Sequence, residues 1–430
     1  MSKRIVKIIG GGLAGCESAL QLLKRGFAVK MYEMRPAKTT GAHKSDSLAE
    51  LVCSNSLKST EPTTASGLLK EELDILGCAL LPLARECAVP SGSALSVDRV
   101  LFSKAVEREL NAYPDFTLVR EEVTSLDEDI PTIVASGPLT SDALAEQVGK
   151  ITGKDRLFFY DAIAPIVDFD GIDMQKAYFG GRYGKGGDDY LNLPMQREEY
   201  ERFYNELVKA KTVTLHDFEK SELFDGCMPI EEMAKRGSDT IRFGPLKPIG
   251  LRNPNTGEKA YAVVQLRKEN VAGDCYNLVG FQTNLTYGEQ KRVFSLIPAL
   301  EHAEFIRYGV MHRNTYINAP GVLEKTFRVK GDRPLYIAGQ LSGVEGYVES
   351  IMSGMIAAQA LACELDGKKY TVPSNVTIIG SLCEYVSTRA LDFKPMNANF
   401  GILPPIEGVR DKAKRKQCYY TRSMSALSGE

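Results

Sequence analysis

The stretch Arg4-Ile5-Val6-Lys7-Ile8-Ile9-Gly10-Gly11-Gly12-Leu13-Ala14-Gly15-Cys16 decides the fold. Ile5, Val6, Ile8 and Ile9 read as a buried strand that ends abruptly on glycines. From Cys16 to Lys24 apolar residues recur at helical spacing, Gly26 breaks the pattern, and Ala28 to Tyr32 reads as a second strand. Strand, glycine turn, helix and strand in that order form a βαβ unit. A βαβ unit commits the chain to a parallel sheet in an α/β fold.

The glycines carry a second message. Gly10, Gly11, Gly12, Leu13, Ala14 and Gly15 fit G-x-G-x-x-G. That spacing allows a tight turn, a close backbone approach to a pyrophosphate and tight helix-to-strand packing. The N–H groups that open the helix then face the phosphates. Glu33 follows the second strand, where an acid can grip a ribose hydroxyl. FAD is favoured over NAD by a second element, Ile337-Ala338-Gly339-Gln340 followed by Gly343-Val344-Glu345-Gly346-Tyr347. In flavoproteins with a split nucleotide-binding fold, such a strand ends beside the flavin, and its helix points an N-terminus at the ring or phosphate. Gly339, Gln340, Glu345 and Gly346 are therefore candidate cofactor contacts. No second strand-borne G-x-G-x-x-G occurs in the middle third, so a reduced nicotinamide, NADPH or NADH, is expected as a visitor without its own domain.

Outward from this core, Gly67 to Leu76 and Val100 to Leu110 read as helices, and Thr117 to Val123 and Thr132 to Ala135 as strands. Between about 158 and 274 the texture changes to Gly-rich loops, short β-like runs and scattered basic residues. The expected organisation is a Rossmann-like FAD-binding domain of the glutathione-reductase type in two parts, 1–157 and 275–430, with an inserted α+β domain over 158–274. Leu335 to Ala338 reads as a strand and about Tyr347 to Leu365 as a helix. The basic tail Arg410 to Arg422 reads as a solvated helix face.

The length of 430 residues suits this plan. No apolar run reaches the roughly 20 residues of a bilayer span, so no membrane partner is expected. The start Met1-Ser2-Lys3-Arg4 leads straight into the first strand with no small-residue cleavage site, and a cytoplasmic location is expected. With a net charge of -2, any nucleic-acid binding must use a local basic face. Nine cysteines at scattered positions suggest reduced thiols rather than a disulfide or zinc framework, and the four histidines have no metal-ligand spacing, so no metal site is expected. Cys16, Cys78, Cys87 and Cys363 read as core residues. Cys53 stands alone where disulfide-reductase flavoproteins place a cysteine pair, which disfavours that chemistry. Cys227 lies in Phe224-Asp225-Gly226-Cys227-Met228-Pro229, where Gly and Pro stiffen a loop around a thiol.

At this point the residues resemble those of the bacterial folate- and FAD-dependent tRNA (uracil-5-)-methyltransferase family. The resemblance rests on Gly10 to Gly15, Val52 to Ser59, Arg182 to Gly187, Tyr190-Leu191-Asn192, Gly226 to Glu232, Arg242 to Gly250, Gly280 to Thr283, Gly309 to Thr315, Gly339 to Glu349 and Pro395 to Gly401. These cover nearly the whole chain in order. The sister family that modifies the wobble uridine shares the flavin lobe but adds a helical C-terminal domain not seen here. The resemblance implies methyl transfer to C5 of the T-loop uridine, position 54, of tRNA, with methylenetetrahydrofolate as carbon donor and reduced FAD as reductant. It carries over Cys53 and Cys227 as catalytic thiols. A cysteine often follows the Leu-Asn pair in that family; here Leu193 stands there, and no catalytic role is expected of it.

Uracil C5 is a poor nucleophile, and a thiolate added to C6 makes it an enolate carbon able to attack a one-carbon electrophile. A base must then remove the C5 proton, the thiol must leave and a hydride must complete the methyl. Cys227 is assigned as nucleophile and Cys53 as base or intermediate partner, an order that can be exchanged. Arg182, Tyr183, Lys185, Lys235, Arg236, His312 and Arg313 are candidate RNA contacts, because a uridine drawn from its stack needs cations on its backbone and aromatic faces for its bases. The competing readings are the same chemistry on a large-subunit ribosomal RNA uridine, a small-molecule flavin oxidoreductase, and a non-catalytic RNA-binding protein that keeps FAD as structure.

Overall fold

The computed structural model describes residues 3–126, 129–153, 156–184, 187–213, 228–254, 256–388 and 393–429, with the backbone alone for 156–160 and 312–313. Its first layer is a five-stranded sheet in the order Leu335–Ile337, Thr132–Val134, Ile5–Ile9, Ala28–Tyr32, Phe116–Val119, with every pairing parallel. Numbered along the chain, those strands lie 5-4-1-2-3, a Rossmann order. The chain winds one way from strand 1 through 2 to 3 and the other way through 4 to 5. Strand order therefore reverses beside strand 1, and the crevice outside the carboxyl ends of strands 1 and 4 is where such folds bind ligands.

Val6 and Ile8, two residues apart on one face of the first strand, are fully buried in the hydrophobic core. Helix Leu13–Lys24 starts inside the glycine turn, three residues earlier than periodicity alone suggests. Across it lies helix Tyr347–Leu365 at close range. A Cβ on Gly354 would stand 2.3 Å from the carbonyl oxygen of Ala14, so only glycine lets the two helices approach this closely. Ser18 uses that proximity, its hydroxyl lying 2.8 Å from the carbonyl of Ala14 and 2.9 Å from that of Gly354. Contrary to the expectation that no apolar run is long enough for a bilayer span, helix Tyr347–Leu365 is long and apolar enough to cross a membrane, but 78% of its apolar stretch is buried in this packing. Its hydrophobicity is that of a core helix.

The other expected elements of this layer form with small shifts, as Ala65–Ile75, Arg99–Asn111 and Phe116–Val119. Two buried glutamates tie helices together. Glu17 accepts from the N–H groups of Ala79 and Leu80 at the start of helix Leu80–Glu86. Glu72 accepts from Ile378 and Ile379, 2.8 and 2.9 Å away, at the start of helix Ile378–Ser387, and from the Ser423 hydroxyl. Ser423 belongs to the C-terminal helix Lys412–Ser428, whose Tyr419 is buried and stacks on Phe400. The tail therefore has an inward face that its basic composition hid.

The second layer is a six-stranded antiparallel sheet, ordered Tyr178–Phe179, Tyr190–Met195, Ala262–Lys268, Cys275–Leu278, Ile166–Asp168, Phe305–Arg307. With helices Arg197–Lys209, Ile230–Lys235 and Tyr287–Phe294 it encloses a separate core that includes Val167, Leu193, Phe203, Val264 and Phe281. This α+β unit runs on past 274, through Cys275–Leu278 to Phe305–Arg307. The strands after 274 pair with one that starts at Ile166, more than a hundred residues earlier, and local texture does not report such pairing. Leu193 is fully buried in this core. A two-stranded antiparallel ribbon, Arg156–Ala162 with Met311–Ile317, joins the two layers.

Candidate functional site

At the carboxyl ends of the parallel strands lies a cleft of about 420 Å³. Gly10, Gly12, Leu13, Ala14, Glu33, Gly339, Gln340, Glu345 and Gly346 all line it. The glycines divide the work. Gly10 has φ +109°, and a Cβ there would meet the backbone of Ala135 at 2.4 Å. A Cβ on Gly15 would stand 1.9 Å from the Gly10 carbonyl oxygen, so this residue permits helix-to-strand packing. At Gly12 a Cβ would meet nothing within 4 Å. Gly12 is thus a cradle with no protein atom over it, which suits close approach of a pyrophosphate. Gly11 does not line the cleft; its N–H donates to Glu33 Oε2 at 2.9 Å, and the Leu48 side chain packs over it.

Glu33 is almost fully buried. Its Oε1 accepts from the backbone N–H and the Nε of Arg35, at 3.0 and 2.9 Å. Burial alone would raise its carboxyl, but the Arg35 hydrogen bond and charge outweigh that and hold it below the ordinary range. A carboxylate offers about four acceptor positions. Three are taken, and one remains for a ribose hydroxyl. At the far wall Gly346 caps helix Tyr347–Leu365, whose first residues Tyr347, Val348 and Ser350 border the cleft with their end of the helix dipole. Gln340 donates to Glu345, a carboxyl that burial, and next the nearby Asp161, push well above its usual range. Gly12 and Glu33 on one wall and the helix terminus at Gly346 on the other fit a long, doubly phosphorylated dinucleotide with a ring at its end.

Cys53 lies in the same cleft. Its backbone N–H donates to the Tyr347 hydroxyl at 2.8 Å, and that of Ser54 does so at 3.2 Å. Arg99 holds the carbonyl of Leu51, Arg307 that of Val52, and Arg267 bonds the side chains of Ser54 and Asn55. Three arginines thus clamp the loop that carries the thiol. Cys53 Sγ donates to Asp161 Oδ2 at 3.3 Å, and burial, followed by the Asp161 charge, pushes the thiol well above its ordinary range. It rests protonated and must pass its proton on before it can act as base or nucleophile. Cys227 lies outside the described residues.

None of the described RNA candidates lines the cleft. Arg182 is committed within the inserted unit, to Gln265 and to the carbonyls of Lys247 and Ile249. Tyr183 is 68% exposed, with its ring against Gly250, beside a second cavity of about 600 Å³ bordered by Arg252 and Lys259. Lys235 pairs with Glu232, and Arg236 is exposed at the end of the same short helix. Lys185 lies outside the described residues, as do the side chains of His312 and Arg313, whose backbone belongs to strand Met311–Ile317. Among the four cysteines expected in the core, Cys16, Cys78 and Cys87 are buried and Cys363 is half-buried at the end of its helix. Sequence reasoning missed Asp161, Asn314 and Asn397, which line the cleft, and gave no role to Tyr347. Single polar residues in strands and loops carry no signal of their own.

A Rossmann sheet with its cleft at the strand-order reversal, and a second glycine turn and helix closing the far wall, define a dinucleotide-binding protein of the flavoprotein type. Comparison with known proteins narrows this. The family model described as "GIDA: Glucose inhibited division protein A" matches residues 5–369. A protein of Syntrophomonas wolfei subsp. wolfei named "Methylenetetrahydrofolate--tRNA-(uracil-5-)-methyltransferase TrmFO" is 51% identical over 98% of this chain and 97% of its own length. A protein of the same name from Natranaerobius thermophilus is 52% identical over 98% and 97%. Among solved structures, Aquifex aeolicus GidA in its form II crystal superposes with a TM-score of 0.72 at 15% identity, over 99% of this chain and 73% of that one, a likeness of fold. The chain belongs to the family of methylenetetrahydrofolate--tRNA-(uracil-5-)-methyltransferases.

Proposed function

We propose that this protein methylates C5 of the T-loop uridine of tRNA in the cytoplasm, drawing the carbon from methylenetetrahydrofolate and reducing equivalents from NADPH or NADH by way of FAD. The observation that carries the reading is the Cys53 thiol, the one thiol lining the cleft among the described residues, clamped in a dinucleotide cleft of this family and hydrogen-bonded to a carboxylate. FAD, when bound, supplies the hydride that turns the transferred methylene into methyl.

The remaining work falls to the chain. Gly12 and the first turn of helix Leu13–Lys24 receive the pyrophosphate, Glu33 the ribose, and Gly346 with its helix the far end of the cofactor. The Cys227 thiolate adds to uracil C6, the electron pair moves to C5, and C5 attacks the folate-borne carbon. Cys53, its proton shed to Asp161, then takes the C5 proton as the C5–H electrons form the exocyclic double bond and the bond from that carbon to the folate nitrogen breaks, its electron pair leaving with tetrahydrofolate. Departure of Cys227 from C6 accompanies hydride arrival.

The test is transfer of labelled methylene carbon from methylenetetrahydrofolate to a tRNA transcript by the flavin-loaded protein. Label in the T-loop uridine supports the reading. Label in a ribosomal RNA fragment alone moves the substrate, and no label in either RNA, with flavin bound, abandons methyl transfer.

A further inference from the structure

The bridging ribbon holds three hydrogen-bonding atoms that no other described group satisfies. Asn314 is fully buried, and neither its Nδ2 nor its Oδ1 has a partner. Asp161 is 4% exposed and spends only Oδ2, on Cys53, leaving Oδ1 unpaired. Asp161 pairs with His312 across the ribbon, and Asn314 stands two residues further along the same strand. Side chains alternate along strands, so Asp161 and Asn314 project from one face as diagonal neighbours. Both line the cleft beside Cys53. A buried polar group without a partner is destabilising, because it gives up its hydrogen bonds to water and gains none in return, so three such atoms on one face of a binding cleft point to a ligand that supplies what they lack.

The set amounts to one donor and two acceptors. The lactam edge of a flavin or of uracil reads acceptor, donor, acceptor, and would leave one of the protein's acceptors facing another acceptor. The edge of a 2-amino-4-oxopyrimidine reads acceptor at O4, donor at N3–H and donor at the 2-amino group. Its complement is a donor and an acceptor from one amide with a further acceptor from a carboxylate. We propose that Asn314 and Asp161 form the recognition edge for the 2-amino-4-oxopyrimidine ring of the folate, Asn314 meeting O4 and N3–H and Asp161 Oδ1 the 2-amino group. The inference rests on the folate reading above and deepens it by naming specificity-determining residues. It also places the carbon donor next to the thiol, since the carboxylate that holds the folate edge is the one that holds Cys53.

Guanine carries the same edge, so the experiment separates the two sources. Tetrahydrofolate binding is titrated against the flavin-loaded protein by calorimetry, with the visible flavin absorbance as the check on folding and cofactor content. Wild type is expected to bind tetrahydrofolate and to bind its 2-desamino-2-methyl analogue roughly tenfold to a hundredfold more weakly, the span expected when a hydrogen bond to a charged group is lost. Asp161→Asn should lose that discrimination, and Asn314→Leu should weaken tetrahydrofolate by a similar factor, both with flavin retained. Equal binding of the analogue by wild type overturns the proposal without reference to any variant. Undiminished tetrahydrofolate binding by both variants, or displacement of tetrahydrofolate by guanosine monophosphate at like concentration, overturns it as well. Should flavin-loaded wild type bind no tetrahydrofolate at all, the folate reading itself falls and takes this edge with it.

Discussion

At the scale of single residues, the two ends of the glycine motif do different work, and the difference is measurable. Gly12→Val adds atoms where the protein has none, at a φ of -78° that valine tolerates. The apoprotein should keep its stability within about 0.5 kcal/mol, as other substitutions away from packed features do, while flavin content after reconstitution collapses. Gly15→Ala pushes a methyl group into the Gly10 carbonyl. It should cost about 1–3 kcal/mol in urea unfolding of the apoprotein, the scale of an overpacked core. Equal stability of the two variants would contradict this division. The thiol offers a second check. Because the Asp161 charge helps hold the Cys53 proton in place, Asp161→Asn should shift the pH midpoint of Cys53 alkylation, followed at that residue by mass spectrometry, to lower pH. A midpoint that stays put or rises would show that Asp161 does not govern the thiol.

At the scale of elements, Glu72 joins helix Ala65–Ile75 to the starts and sides of two helices from the last eighth of the chain. Glu72→Ala strips acceptors from buried N–H groups and should destabilise the fold by about 1–3 kcal/mol, read from the urea midpoint. Burial raises the Glu72 carboxyl from 4.5 to about 7, against the pull of Ser423, Ile379 and Ile378. The folded state therefore binds this proton more tightly than the unfolded chain. Its contribution is full below pH 4.5 and is lost as pH rises through about 7. Glu72→Gln should flatten that part of the stability profile; an unchanged slope would remove Glu72 as its source. None of this could be read beforehand, since a glutamate in the periodic run Gly67 to Leu76 looks like any solvent-facing charge. Only the arrival of Ile378 and Ser423 buries it.

At the scale of the whole molecule, the inserted unit reaches back to set the position of the reactive loop. Arg267 in strand Ala262–Lys268 bonds Ser54 and Asn55, and Glu269 pairs with Arg99, which holds Leu51. Arg267→Met should leave flavin content near wild type, because Arg267 does not line the cofactor cleft, yet lower methyl transfer and speed amide hydrogen exchange across residues 51–55. Unchanged exchange in that loop would remove the arginine's positioning role. The parallel sheet, the glycine turn with Glu33 after the next strand, and the closing helix at Gly346 were all legible in the amino-acid order, because each depends on a period, a turn or a spacing within about thirty residues. Cys53 was legible as a lone thiol on a family motif. Asp161, Asn314 and the full extent of the inserted unit were not, because they depend on strand pairings made across more than a hundred residues, and loop closure on that scale leaves no local trace. Sequence alone settled which cofactor fold this chain builds; the tertiary structure decided which polar side chains meet inside it, since hydrogen-bonding partners are chosen by distance in space and not along the chain.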